Sequence, residues 1–122
     1  MPQGIKGKMR YAIKVNQSEG RANIPRIAMN FIRALATEGH QVHRVFFYHD
    51  GVREGFGDSI SEWSELAQGG QFDLILCSQA LDQRGLATDV VPPFVVGGLG
   101  LWVDACLKAD RVLTFGAPVD EG

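Results

Sequence analysis

Strand-length apolar runs that alternate with helical patterns are the feature that most constrains the fold of this chain. The runs are Tyr11–Val15, Gln41–Tyr48 and Phe72–Cys77. Strands that alternate with helices over short loops form parallel β-α-β units with right-handed crossovers, and the crossing helices cover the sheet. The sequence therefore predicts an α/β fold, a single domain with a flavodoxin-like parallel sheet and helices on both faces.

The helices are indicated by apolar residues at helical spacing and by the residues at their ends. Asn23 and Pro25 predict the start of a first helix, and Gly39 predicts its left-handed stop. Ser59 and Glu62 match a capping box at the start of a second helix. The remaining predicted elements are a short helix over 78–85, a short strand over 94–96, a helix over 99–109 and a final strand over 111–115.

A length of 122 residues fits one domain. We expect a disordered extension over 1–8, which has no hydrophobic period, the α/β domain over 9–116, and a tail over 117–122. Twelve basic and fourteen acidic residues give a net charge of −2 without a basic stripe, so direct nucleic-acid binding is not expected.

No apolar stretch approaches the roughly 20 residues that cross a bilayer, and the N-terminus has no apolar signal region. We therefore expect no membrane contact and a cytoplasmic protein. Cys77 and Cys106 lie in patterns typical of a cytosolic α/β domain, which favours reduced thiols. There is no CxxC, and the three histidines have no ligand spacing with either cysteine, so neither a metal nor another cofactor is expected.

Cys77 is the main candidate for chemistry because it ends an apolar strand and directly precedes a predicted helix. Helix starts carry free N–H groups and partial positive charge, which favour the thiolate, the form that attacks sulfur or carbon. From position alone, Cys77 is either a reactive thiolate or a buried core thiol. Cys106, in the apolar face of the last helix, is interpreted as a buried and inert thiol.

Three segments carry a resemblance to a known family. They are the run Val45–Val52, which includes His49-Asp50-Gly51, the strand ending in Cys77 with Arg84-Gly85 downstream, and Gly98-Leu99-Gly100 leading to Ala109-Asp110-Arg111-Val112. From about Met9 to Phe115 the chain resembles the DsrE/TusD family of small sulfur-relay proteins.

The resemblance implies that Cys77 carries sulfur as a persulfide and passes it to a partner protein. It also implies a homo- or hetero-oligomer of related DsrE-type subunits, with separate sulfur donor and acceptor proteins. Such relays serve thiolation of the tRNA wobble uridine or sulfur oxidation, and nothing in the sequence separates the two.

Three residues are candidate supports for the sulfur site. Arg84 would hold negative charge near the persulfide, or it is an ordinary cation at a helix end. Ser78 offers a donor beside the sulfur, although polar residues at helix starts are most often caps. His49 could act as a base for Cys77, but we expect the first strand to separate their two strands and to keep the strand ends roughly 9 to 10 Å apart.

Two other functions remain open. The chain could be a non-catalytic structural or regulatory subunit in which Cys77 is inert. It could also be a cysteine hydrolase that uses Cys77 with His49 and Asp50.

Overall fold

The computed structural model describes residues 7–18 and 22–117. The strands are β1 (Arg10–Val15), β2 (Gln41–Phe47), β3 (Asp73–Cys77), β4 (Phe94–Gly97) and β5 (Arg111–Phe115). The helices are α1 (Ile24–Thr37), α2 (Ile60–Gly70), α3 (Ser78–Gln83) and α4 (Leu99–Lys108). A 3-10 segment, His49–Gly55, follows β2, and a shorter one, Gly57–Ser59, leads into α2.

All neighbouring strands are parallel, and the sheet has the order β4-β3-β2-β1-β5. The predicted α/β fold with a parallel sheet is therefore confirmed. The expectation that β1 separates β2 from β3 is wrong, because β2 pairs directly with β3 and occupies the centre of the sheet. The burial of β2 explains this position, since Val45, Phe46 and Phe47 are consecutive and all fully buried, as in a strand covered on both faces.

Helices cover both faces of the sheet, as predicted. On one face α1 and α2 pack against the strands, where the ring of Phe31 meets Tyr11 and that of Trp63 meets Phe47. On the other face α4 lies across β1 and β2, where Trp102 contacts Phe46 and lies against the ammonium group of Lys14. The core therefore has two layers separated by the central strands.

The predicted helix ends are only partly correct. Gly39 has a φ of 84° and ends α1 as expected. Asn23 and Ser59 occupy the N-cap positions, but neither side chain caps its helix. Glu62 instead accepts hydrogen bonds from Arg26 and Arg33, which lower its pKa to about 2, so the predicted capping box is wrong. Two guanidinium partners offer a carboxylate stronger bonds than one backbone N–H does.

The predicted terminal segments fall largely outside the described residues, since residues 1–6 and 118–122 are not described. Met9, where the predicted domain begins, is tied to β2 because its carbonyl oxygen accepts a hydrogen bond from the amide of Gln41. The division into extension, domain and tail remains a prediction. None of the helices within 7–18 and 22–117 is long and apolar enough to cross a membrane.

His43 in β2 introduces a pH-sensitive group into the sheet. Its Nε2 atom is buried without a hydrogen-bond partner among the described residues. Burial, assisted by the charge of Arg44, lowers the pKa of His43, against an opposing effect of Asp73. Lys108 and Arg10 add smaller repulsions. The folded protein therefore favours the neutral form of His43.

We predict that this histidine makes the fold less stable in weak acid. The unfolded chain takes up a proton near the ordinary histidine pKa of about 6.5, whereas the folded chain does so only at lower pH. Stability is thus fully present above about pH 6.5 and falls as the pH drops from there to the lowered pKa of the folded state. Urea unfolding at a series of pH values should show this slope in the wild type and a smaller slope in His43→Gln. An equal slope in both would contradict the assignment.

Candidate functional site

The candidate site lies at the carboxyl edge of the sheet, where β2 and β3 end side by side. Cys77 is the last residue of β3 and pairs in register with Gly97 of β4. It is also the N-cap residue of α3, with an extended backbone, and Ser78 follows as the first helical residue. The predicted strand-to-helix junction at Cys77 is therefore present.

The thiol of Cys77 is closed off from solvent. Its relative exposure is 0%, and it belongs to the apolar core cluster together with Ala80 and Leu81 of α3. Its side chain makes no cap hydrogen bond to α3. Ser78 is exposed beside it. The position at the helix start is as predicted, but the sulfur is buried beneath the neighbouring elements.

The 3-10 segment after β2 brings charged side chains to the same edge. His49 adopts a left-handed backbone with a φ of 53°, and its side chain is 42% exposed. Its Nδ1 atom lies 3.9 Å from Oδ2 of Asp50, too far for a hydrogen bond. Because β2 and β3 are neighbours, His49 follows a strand about one inter-strand spacing from that of Cys77, roughly 4.8 Å, rather than the expected two.

No hydrogen bond within the described part of the chain joins His49 to Cys77. The side chain of His49 turns instead toward Asp50 and solvent. The observed strand order thus removes the expected distance of two strand spacings, which argued against His49 as a base for Cys77. The side chain of His49 is nevertheless not paired with the thiol.

Arg84 is a fixed cation rather than a free one. Its Nε donates a 2.7 Å hydrogen bond to Oδ1 of Asp50, and its Nη1 donates to the carbonyl oxygen of Ala80 at 3.1 Å. Only 13% of its side chain is exposed. The hydrogen bond from Arg84 lowers the pKa of Asp50, against a smaller effect of burial. Arg53 adds positive charge, with its Nε 3.9 Å from the same carboxylate oxygen.

Asp50 is a site residue that the sequence analysis considered only as a partner for His49. It joins the end of β2 to the end of α3 through Arg84. Asp50 and Arg84 are 34 positions apart in the sequence. Their pairing could have been predicted only from the correct strand order, in which β2 lies next to β3.

Glu54 is a second charged residue that the sequence did not single out. Its side chain is buried, with 3% exposure for the residue, and accepts hydrogen bonds from Nε1 of Trp63 at 2.8 Å and from Ser18. It borders a polar cavity of about 520 Å³ between α1 and the 3-10 segments. The stretch 49–57 contains three glycines and has no hydrophobic period, so the sequence gave no signal that one of its charges would be buried.

Cys106 is half-buried rather than fully buried, and the buried residue of α4 is its neighbour Ala105. Burial raises the pKa of the Cys106 thiol. Both cysteines are free thiols. Among the described residues there is no group of three or more histidine, cysteine or acidic side chains that could hold a metal ion.

These features define a small parallel α/β protein with one cysteine at the junction of a central strand and a short helix. The model of the DsrE/DsrF-like family matches residues 9–115, and the chain belongs to this family.

Named relatives agree with the family assignment. A DsrE protein of Allochromatium vinosum is 31% identical, over 88% of this chain and 99% of that protein. The sulfurtransferase TusD of Sodalis glossinidius is 36% identical, over 72% of this chain and 84% of that protein. Among solved structures, the ychN protein from E. coli has the same fold, with a TM-score of 0.70 at 22% identity over 89% of this chain and all of that one. The chain is therefore related over nearly its whole length to proteins named for sulfur transfer.

Gly51 fixes the segment that carries His49 and Asp50 against β1. A Cβ atom at this position would lie 2.0 Å from the carbonyl oxygen of Val15, a backbone atom that cannot move aside on its own. The amide of Gly51 also donates to the carbonyl oxygen of Tyr48 at 2.8 Å. Close backbone approach therefore requires glycine here.

We predict that Gly51→Ala destabilises the fold by about 1–3 kcal/mol, because the added methyl group forces β1 and the 3-10 segment apart. Urea unfolding measures the change. Gly69→Ala is the matched control: its Cβ would meet nothing within 4 Å, and alanine is the better helix former in α2. A Gly51→Ala protein as stable as Gly69→Ala would contradict the packing argument.

Proposed function

We propose that this protein is a sulfurtransferase that accepts sulfane sulfur on Cys77 and passes it to a partner protein. The observation that carries the proposal is the position of Cys77 at the carboxyl end of β3 and at the start of α3, in a chain of the DsrE/DsrF-like family. The names of its DsrE and TusD relatives support sulfur transfer as the reaction.

The proposed reaction is an exchange between sulfur atoms and needs no oxidant. The thiolate of Cys77 attacks the terminal sulfur of a donor persulfide, R–S–SH, and the bond between the two donor sulfurs breaks. The electron pair of that bond leaves with the donor as R–S⁻, and Cys77 becomes Cys77–S–SH. A thiolate of the acceptor then attacks the outer sulfur, which restores the thiolate of Cys77. The acceptor thus gains the atom that the donor lost.

Three side chains are proposed to support this step. Arg84 is held in place by Asp50 and Ala80, and its Nη2 has no hydrogen-bond partner among the described residues, so it is available to an anionic persulfide. Ser78 is an exposed residue next to Cys77, and its hydroxyl can donate to the same group. His49, exposed beside Asp50, is proposed to face the incoming partner.

One observation favours a second function. Cys77 has no exposed surface, as expected of a structural thiol in a non-catalytic subunit. In that case the chain would serve a DsrE-type assembly as a structural or regulatory subunit.

Mass spectrometry of the intact protein after incubation with a persulfide donor separates the two functions. The wild type and Cys106→Ser should each gain one reducible sulfur, about 32 Da, and Cys77→Ser should gain none. Absence of the addition in the wild type, or its survival in Cys77→Ser, would remove Cys77 as the carrier and favour the non-catalytic subunit.

We further propose that the chain works in the cytoplasm, within a homo- or hetero-oligomer of DsrE-type subunits, between a donor and an acceptor protein of tRNA thiolation or sulfur oxidation. The two free cysteines are compatible with a reducing compartment. The outer side of α4 supports the oligomer: Leu99, Val103 and Leu107 are 42%, 54% and 81% exposed, at helical spacing. Val95 and Val112 on the flanking strands are also about half exposed. A surface helix normally presents polar side chains outward, so this surface is suited to a subunit contact.

We predict that Leu107→Asp weakens self-association without unfolding the subunit, because Leu107 is 81% exposed and contributes little to the core. Sedimentation velocity should show a shift toward monomer. Ile27→Asp is the control, since Ile27 is 48% exposed on α1, away from α4. Equal shifts in both variants would contradict the assignment of this surface, and a monomeric wild type would exclude the homo-oligomer.

A further inference from the structure

The burial of Cys77 poses a problem for any reaction at its sulfur. A donor persulfide must reach Sγ along the line of the breaking bond between its two sulfurs, yet Cys77 has no accessible surface. An element near the thiol must therefore move before sulfur can be exchanged. This requirement follows from the proposed function, and the question is which element moves and what holds it closed.

We propose that the ion pair between Arg84 and Asp50 is a latch that holds α3 closed over Cys77, and that its opening controls the access of sulfur donors to the thiol. This inference rests on the proposed function for its biological meaning. Its physical content, the exposure of Cys77, can be measured without any sulfur chemistry.

The helix α3 is the element best placed to move. It has six residues, begins directly after Cys77 and packs against both β3 and the 3-10 segment that carries Asp50, so it can be displaced without breaking β3. Only Ala80 and Leu81 of this helix are buried. Gly85, with a φ of 63°, follows the helix end and offers a flexible pivot. By contrast, α4 has ten residues and packs across the central strands.

The latch connects this short helix to a rigid support. Arg84 is the C-cap residue of α3, and its bond to Ala80 orients the guanidinium group along the helix. Asp50 belongs to the segment that Gly51 packs against the backbone of β1. A charge-assisted hydrogen bond of 2.7 Å from a side chain that is 13% exposed is stronger than an ordinary surface ion pair.

The same guanidinium group provides a means of opening. Nη2 of Arg84, which has no partner among the described residues, can bind a donor persulfide in its anionic form, R–S–S⁻, before that donor reacts as R–S–SH. The bound anion and Asp50 then share the charge of one guanidinium group. The donor therefore competes with Asp50 for the guanidinium group of Arg84. This competition weakens the ion pair at the place where the donor approaches Cys77. Arg53, whose Nε lies 3.9 Å from the same carboxylate, still compensates the charge of Asp50 when Arg84 leaves.

Alkylation of Cys77 by iodoacetamide tests the latch. When a buried thiol reacts only after a local opening, its rate follows the equilibrium constant for that opening. Asp50→Asn keeps the shape of the side chain but removes its charge, so alkylation of Cys77 should become about three- to tenfold faster. Peptide mass spectrometry measures Cys77 and Cys106 in the same sample, and the rate at Cys106 should not change.

Asp73→Asn is a matched control. Asp73 pairs with Arg44 at 2.9 Å at the opposite edge of the sheet. The side-chain exposures, 12% for Arg44 and 55% for Asp73, closely match those of Arg84 and Asp50, 13% and 50%. This variant should leave the rate at Cys77 unchanged. Asp50→Glu restores the charge and should return the rate toward that of the wild type.

Each outcome decides the proposal. An unchanged rate in Asp50→Asn would overturn the latch. An equal rise in Asp73→Asn or at Cys106 would also overturn it and would indicate general loosening of the fold instead. If Asp50→Asn does not fold, Arg84→Gln breaks the same pair from the helix side and carries the same expectation. Faster alkylation together with no sulfur addition in the persulfide experiment would retain the latch and remove the proposed function.

Discussion

The pairing of β2 with β3 at the centre of the sheet is the contact on which the rest of the molecule depends. Phe46 and Phe47 pair in register with Ile75 and Leu76, and all four side chains are at least 96% buried. Burial of this much apolar surface is the main source of stability in such a fold. The same pairing aligns the two strand ends, so that a thiol on one strand and a charged segment on the next share one edge.

The sequence predicted the individual strands and helices better than it predicted how they are arranged in the fold. The strands and helices could be placed because each has its own period, and the end of α1 because Gly39 suits a left-handed stop. The junction at Cys77 was predictable for the same reason, since β3 and α3 are adjacent in the chain. These features depend on residues within a few positions of one another.

The strand order and the partners of charged side chains depend on residues far apart, and there the sequence was insufficient. Placing β1 between β2 and β3 hid the pairing of Asp50 with Arg84. Ser59 and Glu62 match the capping-box pattern, but the carboxylate of Glu62 accepts hydrogen bonds from Arg26 and Arg33 of α1 instead. The burial of Cys77 was not predictable either, because it depends on how the elements around the end of β3 pack together.

The contacts of Arg44 make the amino edge of the sheet more strongly connected than the carboxyl edge. From β2 it binds Asp73 of β3 and both Leu101 and Asp104 of α4, so that three elements are tied together at the amino edge. Within the described residues, the carboxyl edge has one charged hydrogen bond between the 3-10 segment after β2 and α3. Local unfolding can then begin at the carboxyl edge while the amino edge stays intact, so that small rearrangements around the cysteine leave the cooperative unit of the domain undisturbed.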